Sequence, residues 1–367
     1  MIHDHQGMSH REGAKQAIAH VRATDGAIQP LSAHLTGVSL LARNHAQKIG
    51  LSMHGELIGL LHDLGKYSEE FQVYLQSATG LLNPDEDEEF VDAKELRGKV
   101  DHSSAGAQFV WRELVCRGPL GQYVGQMLAL CIASHHSGLI DCLTSGPNRP
   151  VEDAFTKRMN KADVRTHLEE TLVKGEETIL ARAQELLSLP EMLDGIQSAI
   201  RSIILDAPIK NDRSIVAQQQ IGLLVRFLFS CLIDADRIDT ADFESPRQAR
   251  LRLRGSYAGW EPLIGLLEKH LTSLQPRHRI DQLRQDISLH CLQGASRDKG
   301  IYTLTVPTGG GKTLASLRFA LHHAKKHGMD RVIYVIPFTS IIDQNAEVVR
   351  GILEPQGTEP GSVVLEH

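Results

Sequence analysis

The sequence has few cysteines, and none are arranged in pairs. Only five of the 367 residues are cysteine, at positions 116, 131, 142, 231 and 291, and no two of them form a CxxC motif. An odd number of cysteines without close spacing argues against a disulfide framework. We therefore expect reduced, mostly buried thiols in a cytoplasmic protein.

The sequence also lacks an excess of positive charge and lacks long apolar runs. Its formal net charge is −6, which excludes nucleic-acid binding by bulk charge but not by a local basic channel. We find no apolar run of about 18 residues, the length that a membrane span needs. The polar opening "MIHDHQGMSHREGAK" does not resemble a signal peptide. The pattern predicts a soluble protein with no membrane partner.

Most of the first 240 residues have helical periodicity. Leucine and other apolar residues recur every three or four positions around residues 35–49 and 57–64, and residues 121–136 form a further helical pattern that ends on two histidines. Residues 215–237 are apolar nearly all round, which predicts a central buried helix. Segments 77–99 and 144–155 carry loop signals. We assign residues 1–242 to a mainly α domain.

The pattern changes in the last third of the chain. Ile301–Val306 and Arg331–Ile336 are strand-like, and a helical pattern lies between them. Strand, helix and strand at this spacing predict a βαβ unit of a parallel sheet. We therefore expect a connector at 243–275 and part of an α/β domain at 276–367.

Histidines are concentrated in the first domain, where 11 of the 19 precede residue 137. The candidates for buried ligands on or beside its helices are His34, His62, Asp63, His102, His135, His136 and Asp236. One transition-metal ion needs only three or four protein ligands, so seven candidates indicate two ions, about 3.5–4 Å apart with Asp63 as the bridge. The alternative is a set of ordinary core histidines.

Helix geometry excludes two further histidines from this set. A helix rises about 1.5 Å per residue, so His45 lies roughly 16 Å from His34 along the axis, and His54 lies roughly 12 Å from His62. Both are predicted to be packing or surface histidines. His3, Asp4 and His5 lie in a polar terminus and are not expected to bind the ions.

Several segments of this domain resemble one known family. "HL…LLHDLGKYSEEFQVYL", "DHSSAGA", "SHHSGL" and "LIDADRIDT" are similar to the HD nuclease domain of the CRISPR-associated nuclease-helicase of type I systems, as is the opening "AIAHVRATDGAIQPLSAHL". The resemblance covers nearly the whole chain. It is specific, because the general HD superfamily has only H…HD…D and lacks the additional histidines at 102, 135 and 136.

The resemblance implies a role for each candidate. The first metal is expected on His34, His62, Asp63 and Asp236, and the second on His102, His135, His136 and the bridging Asp63. Lys66 is expected to steady the scissile phosphate as a point charge, unless it is a solvated surface lysine. Asp236 is preferred to Asp234 as the last ligand because the family pattern centres on "ADR". Asp234 is then expected to contact a ligand rather than the metal.

The second strong motif is "TVPTGGGKT". Its glycines allow backbone N–H groups to approach phosphates, with a helix N-terminus directly behind them. The predicted nucleotide-binding residues are Thr308, Gly309, Gly310, Gly311, Lys312 and Thr313, with Lys312 on the β/γ-phosphates and Thr313 on magnesium. Val306 stands where the strict motif has glycine, a replacement common in the superfamily 2 helicases that this segment resembles. The alternative is a glycine-rich turn without nucleotide.

The motor domain is expected to be incomplete. Residues 332–349 resemble the helicase motif that touches one DNA strand, but we find no DExx box after Lys312 and no second RecA-like domain. The arginines at 247, 250, 252 and 254 are interpreted as a solvated helix face rather than phosphate contacts. We therefore expect neither ATP hydrolysis by this chain nor ATP stimulation of cutting.

Taken together, the sequence predicts a mainly α, HD-type metal-dependent hydrolase domain followed by a partial RecA-like domain with an incomplete parallel sheet. The predicted activity is cleavage of single-stranded DNA in type I CRISPR defence. The cofactors are expected to be two ions of manganese, iron, cobalt or nickel, with ATP and magnesium at the phosphate loop of the intact protein. A guide-RNA surveillance complex is the expected partner. The alternatives are an HD phosphohydrolase acting on nucleotides or cyclic nucleotides, and a nucleotide-binding module without activity.

Overall fold

A computed structural model describes residues 16–84, 87–96, 98, 100–146, 149–205, 213–251, 258–337, 339–355, 357–358 and 361–365. The chain divides into two compact units, Met1–Leu251 and Arg252–His367, which we describe separately.

The first unit opens with a two-stranded antiparallel hairpin and continues as helices. Strands β1 (Ile18–Val21) and β2 (Ile28–Pro30) pair with His20 opposite Gln29. The helices of its first half are α1 (Leu31–Ala46), α2 (Ser52–Leu61), α3 (Glu69–Ala78), α4 (Ala93–Leu96), α5 (Ser104–Val115) and α6 (Gly118–Ser134). A one-turn 3-10 helix, Leu64–Tyr67, follows α2.

A second hairpin and further helices complete this unit. Its strands are β3 (Leu143–Gly146) and β4 (Arg149–Asp153). The helices after it are α7 (Ala154–Met159), α8 (Asp163–Thr166), α9 (Leu168–Lys174), α10 (Glu177–Ser188), α11 (Glu191–Leu205), α12 (Arg213–Glu244) and α13 (Pro246–Leu251). This hairpin corrects the prediction of a loop at 144–155, because most of the described residues of that segment lie in short strands. Within the other predicted loop, 77–99, residues 77 and 78 end α3, and Ala93–Leu96 form one helical turn, α4.

The core of the first unit is built from pairs of helices, chiefly α1 with α2, α5 with α6, and α1 with α12. In α1 the residues at positions 31, 34, 35, 38 and 42 are buried, which is the helical spacing that the sequence predicts. Because α2 is buried along nearly its whole length, its C-terminal end delivers His62 and Asp63 into the interior.

Helix α12 corrects the prediction of a helix buried on all sides. Leu224, Leu228 and Leu232 form a buried stripe, whereas Leu223 and Phe227 lie on an exposed face. By length and composition, its segment Ile215–Glu244 also satisfies the requirement for a membrane span, contrary to the sequence-based expectation. The core helix of a soluble protein satisfies the same requirement, and α12 contributes its buried stripe to the core of this unit.

The second unit contains α14 (Trp260–Ser273), α15 (Arg279–Gly294), α16 (Lys312–His327) and α17 (Thr339–Leu353). A small core joins α14, α16 and α17 through Leu263, Ile264, Leu267, Leu317, Leu321, Ile352 and Leu353. Two polar contacts support it. Trp260 donates its indole N–H to the Met329 carbonyl (2.7 Å), and Arg318 forms an ion pair with Glu268 at 2.5 Å.

The predicted strands of this unit are not formed as hydrogen-bonded strands. Residues 301–306 and 331–336 are fully described, and neither segment carries a strand. Ile301 is fully exposed and Val335 is 91% exposed. Two short segments are too few for a stable sheet, which requires three or more strands or a covering helix face. The helix predicted between them is present as α16.

The domain boundary that we place at 242 falls inside α12, and the first compact unit continues to Leu251. The predicted connector, 243–275, contains α14, which packs within the second unit. The predicted boundaries 1–242, 243–275 and 276–367 therefore remain predictions of evolutionary domains rather than descriptions of the compact units.

Candidate metal centre

The predicted ligands converge from five separate elements of the first unit. His34 lies in the first turn of α1, and His62 and Asp63 follow the last residue of α2. His102 precedes α5, and His135 and His136 follow α6. Asp236 lies on α12. The structure brings all seven predicted residues together around Asp63.

One oxygen of Asp63 faces the first group of ligands. Its Oδ2 atom lies 3.6 Å from His34 Nε2 and 3.4 Å from His62 Nε2. The Oδ1 atom of Asp236 lies 3.5 Å and 3.7 Å from the same two nitrogens. These distances exceed those of good hydrogen bonds, and both Nε2 atoms are buried without a hydrogen-bond partner. The two imidazole nitrogens face two carboxylates but lie too far from them for good hydrogen bonds. This arrangement suits a divalent cation bound between the four groups.

The other oxygen of Asp63 faces the second group. Its Oδ1 atom lies 3.2 Å from His135 Nε2, 3.6 Å from His102 Nε2 and 4.0 Å from His136 Nε2. The Nε2 atoms of His102 and His136 are 2.6 Å apart. Within the set His34, His62 and Asp63, and within the set Asp63, His102, His135 and His136, one ligand atom from every residue lies within 4.8 Å of the others. The residues present therefore fit two ions with Asp63 between them.

Backbone carbonyls orient two of these imidazole rings. His62 Nδ1 donates to the Gly59 carbonyl at 2.8 Å, and His135 Nδ1 donates to the Ile132 carbonyl at 2.7 Å. Both acceptors lie three residues earlier on the same helix. A proton on Nδ1 leaves the Nε2 lone pair directed into the site, which is the tautomer that a metal needs.

The first group carries strong electrostatic coupling. Burial alone lowers the pKa of His34, but the nearby carboxylates of Asp236, Asp239 and Asp63 outweigh it and raise the pKa to about 10. For His62, burial is likewise outweighed, by the nearby carboxylates, and the pKa rises to about 9. Although burial raises the pKa of Asp63, Lys66 and His62 hold it well below its usual range. Binding a cation between these groups must displace protons from both rings.

Two histidines of the second group, His102 and His136, have lowered pKa values. Burial lowers the pKa of His102 to about 3 and that of His136 to about 4, with Lys66 and neighbouring histidines adding to the effect. His136 is also the most accessible ligand, with 52% of its side chain exposed. This side of the site is therefore open, and its His102 and His136 rings carry no competing proton at neutral pH.

Lys66 is buried, with 5% of its surface exposed. Its ammonium group lies 2.7 Å from Asp63 Oδ2 and 5.6 Å from the centre of the Phe71 ring. A solvated surface lysine is therefore excluded, and the structure places Lys66 beside the Asp63 carboxylate. Its contact with a scissile phosphate remains a prediction.

Residues that the sequence analysis set aside lie apart from the site. Asp234 is exposed on α12, whereas Asp236 faces His34 and His62. His54 is buried and donates its Nε2 hydrogen to the Met192 carbonyl at 2.9 Å. His45 is half-buried near the far end of α1. His3, Asp4 and His5 lie outside the described residues.

Three residues beside the first group were missed by the sequence analysis. Asp239 accepts a hydrogen bond from His34 Nδ1 at 2.8 Å, and Gln29 donates its side-chain amide to the same carboxylate oxygen at 2.8 Å. The ring of His20 meets that of His34 edge to face at 4.9 Å, and its Nε2 is buried without a partner. The segments "AIAHVRATDGAIQPL" and "DADRIDT" contain these residues, but only the folded hairpin places them together.

The phosphate loop is formed in the second unit. Gly309 and Gly311 have φ angles of 83° and 79°, the left-handed region that favours glycine, and Lys312 begins α16. Arg284 of α15 donates its Nε hydrogen to the Gly309 carbonyl at 2.9 Å, and Thr313 donates to Asn345 Oδ1 at 2.8 Å. The loop conformation agrees with a phosphate cradle, and nucleotide binding by these residues remains a prediction. Of the connector arginines, Arg247 and Arg250 are exposed, and those at 252 and 254 lie outside the described residues.

The helical fold and the site define a metal-dependent hydrolase of the HD type, joined to the start of a helicase-like domain. Comparison with family models agrees with this class. Residues 20–200 match the model described as "Cas3, HD domain", and residues 269–363 match "Type III restriction enzyme, res subunit". No curated protein matches the chain. Residues 20–200 are therefore a Cas3-like HD domain, and a helicase-like domain follows it in the chain.

Proposed function

We propose that this protein cuts single-stranded DNA with a pair of divalent metal ions, as the nuclease of a type I CRISPR defence system. The observation that supports the proposal most strongly is that the two carboxylate oxygens of Asp63 face different groups of histidines. Its Oδ2 faces His34 and His62, and its Oδ1 faces His102, His135 and His136. A single carboxylate with a separate imidazole group on each oxygen is suited to bridging two ions.

The ions are held by the residues already described, with His34, His62 and Asp236 on one side of Asp63 and the other three histidines on the opposite side. When bound, such a pair supplies an activated water and a double clamp on the oxygens around phosphorus. Mixed imidazole and carboxylate ligands favour manganese, iron, cobalt or nickel over magnesium.

The chain's own residues explain how a DNA phosphate would reach the site and which cation would stabilise it. His136 is half-exposed and His102 is partly exposed, so a polynucleotide phosphate reaches the site from their side. The buried ammonium of Lys66 lies within hydrogen-bonding distance of Asp63 and is the cation of the chain best placed to steady that phosphate. Leucines around His62 exclude bulk water from the opposite side.

The remaining parts of the proposal concern the protein's setting. ATP and magnesium bind the loop at 308–313 in the intact protein, and translocation feeds a displaced strand into the HD site. A surveillance complex carrying guide RNA recruits the protein to its target in the prokaryotic cytoplasm. These steps are supported by the pairing of a Cas3 HD domain with a helicase-like domain in one chain.

The proposal is tested by offering the manganese-loaded protein three substrates: circular single-stranded DNA, the same sequence as duplex, and a panel of nucleotides and cyclic nucleotides. His62→Ala serves as the control for contaminating nucleases, because it removes a buried ligand. We expect cutting of the circular single strand, little cutting of duplex, and loss of cutting in the variant.

Release of phosphate from nucleotides without cutting of the single strand would favour the phosphohydrolase alternative. Binding of nucleotide at the loop without either activity would favour a non-enzymatic module. Equal cutting by the His62→Ala variant would contradict the assigned site.

A further inference from the structure

His34 is held differently from the other oriented imidazoles of the site. His62 and His135 direct their Nδ1 hydrogens at backbone carbonyls, but His34 directs its Nδ1 hydrogen at the carboxylate of Asp239, 2.8 Å away. Because a carboxylate oxygen only accepts hydrogen bonds, this contact fixes the proton on Nδ1 and leaves Nε2 for the site. His34 itself is fully buried, so its ring has no competing solvent partner.

Asp239 is itself fixed by the hairpin. Gln29 donates its amide hydrogen to Oδ2 of Asp239 at 2.8 Å, which is the same oxygen that His34 uses. Gln29 is 8% exposed, and it lies opposite His20 in the β1–β2 pairing. Two N–H donors therefore converge on one oxygen of that carboxylate and fix its orientation.

Gly37 makes the space that Asp239 occupies. It lies three residues after His34 on α1, and a Cβ atom built there would be 2.1 Å from Asp239 Oδ1. Glycine in the middle of a helix costs about 1 kcal/mol relative to alanine, so its presence needs a compensating role. Here the missing side chain allows the carboxylate to lie against α1 beside the His34 ring.

We propose that Asp239 is a positioning residue for the first metal ion, acting through His34, with Gln29 and Gly37 holding it in place. The inference rests on the proposed two-ion function. It adds that a carboxylate orients a ligand of the first ion but not of the second. A carboxylate behind an imidazole raises the basicity of that ligand and fixes its orientation, and losing such a partner typically weakens metal binding 10–100-fold. The second ion, on His102, His135 and His136, gains nothing from Asp239.

The test uses the full chain in a His102→Ala/His136→Ala background, which keeps the first group and removes two ligands of the second. Mn²⁺ binding to this parent is titrated and compared with binding after adding Asp239→Asn. We expect a dissociation constant about 10–100-fold higher. Asp234→Asn is the matched control, because it removes an exposed carboxylate from the same helix, and it should bind like the parent.

A second readout separates positioning from a general loss of folding. The parent is loaded with Co²⁺, and its visible absorption bands report the geometry of the bound ion. Asp239→Asn should change these bands, whereas Asp234→Asn should not. Gly37→Ala tests the same contact from the opposite side and should weaken Mn²⁺ binding in the same direction, because the added methyl group must displace the carboxylate.

Mn²⁺ affinity within twofold of the parent and unchanged Co²⁺ bands in Asp239→Asn would overturn the inference. If that variant does not fold, the same result in Gly37→Ala would overturn it. A parent that binds no Mn²⁺ at all would instead contradict the proposed metal site, and the two failures are therefore distinguishable.

Discussion

At the scale of single residues, two buried histidines show how the surroundings of an imidazole decide its role. His34 faces three carboxylates, which outweigh burial and raise its pKa to about 10. His54 faces a backbone carbonyl, and burial lowers its pKa despite that hydrogen bond. The first is therefore suited to hold a cation, and the second is a neutral packing group.

His54 makes the first unit sensitive to acid. Because its pKa is lower in the folded than in the unfolded protein, the unfolded chain binds more protons as the pH falls below about 6.5, and stability is lost in that window. We predict that His54→Gln, which keeps a hydrogen-bond donor, flattens the fall in the free energy of unfolding between pH 7 and 5. The measurement is denaturant unfolding of the metal-stripped protein.

His45→Gln is the control for that comparison, since it replaces a half-buried histidine on α1 that lies outside both ligand groups. Its unfolding should depend on pH as in the unaltered protein. Identical pH dependence in His54→Gln and the unaltered protein would mean that His54 does not contribute to acid sensitivity.

Much of the residue-level site follows from the sequence because local geometry decides it. A rise of about 1.5 Å per residue separates His45 from His34 without any structure. Asp239 could not be found in this way, since it contacts a histidine 205 positions earlier in the chain. Its signal, a second aspartate three residues after Asp236 in "DADRID", is indistinguishable from a solvated helix face until α1 and α12 are packed together.

At the scale of elements, the site depends on how closely short segments approach one another. The 3-10 turn Leu64–Tyr67 begins directly after Asp63, and Gly65 within it donates its backbone N–H to the His102 carbonyl at 3.2 Å. A Cβ atom on Gly65 would lie 2.4 Å from that oxygen. The turn therefore sets the position of His102 in the second ligand group.

We predict that Gly65→Ala lowers the free energy of unfolding by about 1–3 kcal/mol, because the added methyl overpacks a contact between backbones. It should also reduce bound metal from about two ions towards one, since His102 must move. Unfolding is measured on metal-stripped protein, and metal content is measured after reloading with Mn²⁺.

Gly222→Ala is the matched control, because a Cβ at this position on α12 meets no atom within 4 Å. Alanine there should leave metal content unchanged and should not reduce stability. If Gly65→Ala behaved like Gly222→Ala, the turn would not position His102.

The sequence predicted the helices better than it predicted which of their faces are buried. The periodicity of α1, α2 and α16 is a local property and reads directly from the sequence. The exposed face of α12 does not, because Leu223 and Phe227 are as apolar as the buried Leu224 and Leu228 and only packing distinguishes them. The prediction of strands at 301–306 and 331–336 was wrong for a related reason. Strand formation depends on neighbouring strands, and a local sequence pattern does not show whether they are present.

At the scale of the whole molecule, the two motifs belong to different compact units. Every residue of the two ligand groups lies in Met1–Leu251, and the phosphate loop lies in Arg252–His367. All of the predicted metal ligands are therefore supplied by the first unit.

We predict that Lys312→Ala leaves the rate of cutting of circular single-stranded DNA within twofold of the unaltered chain. Lys66→Ala is the comparison, because it removes the cation beside Asp63, and it should slow cutting strongly. The measurement is the initial rate with manganese and without ATP. A loss of cutting in Lys312→Ala equal to that in Lys66→Ala would show that the units do not act separately.

The central claim is that Asp63 bridges two metal ions, and metal content tests it most directly. The protein is purified without chelator, reloaded with Mn²⁺ and desalted, and bound manganese is measured per chain by mass spectrometry. We predict about two ions for the unaltered chain and for His45→Ala, as a two-metal site requires, and less than one for Asp63→Ala. Two retained ions in Asp63→Ala would contradict the account.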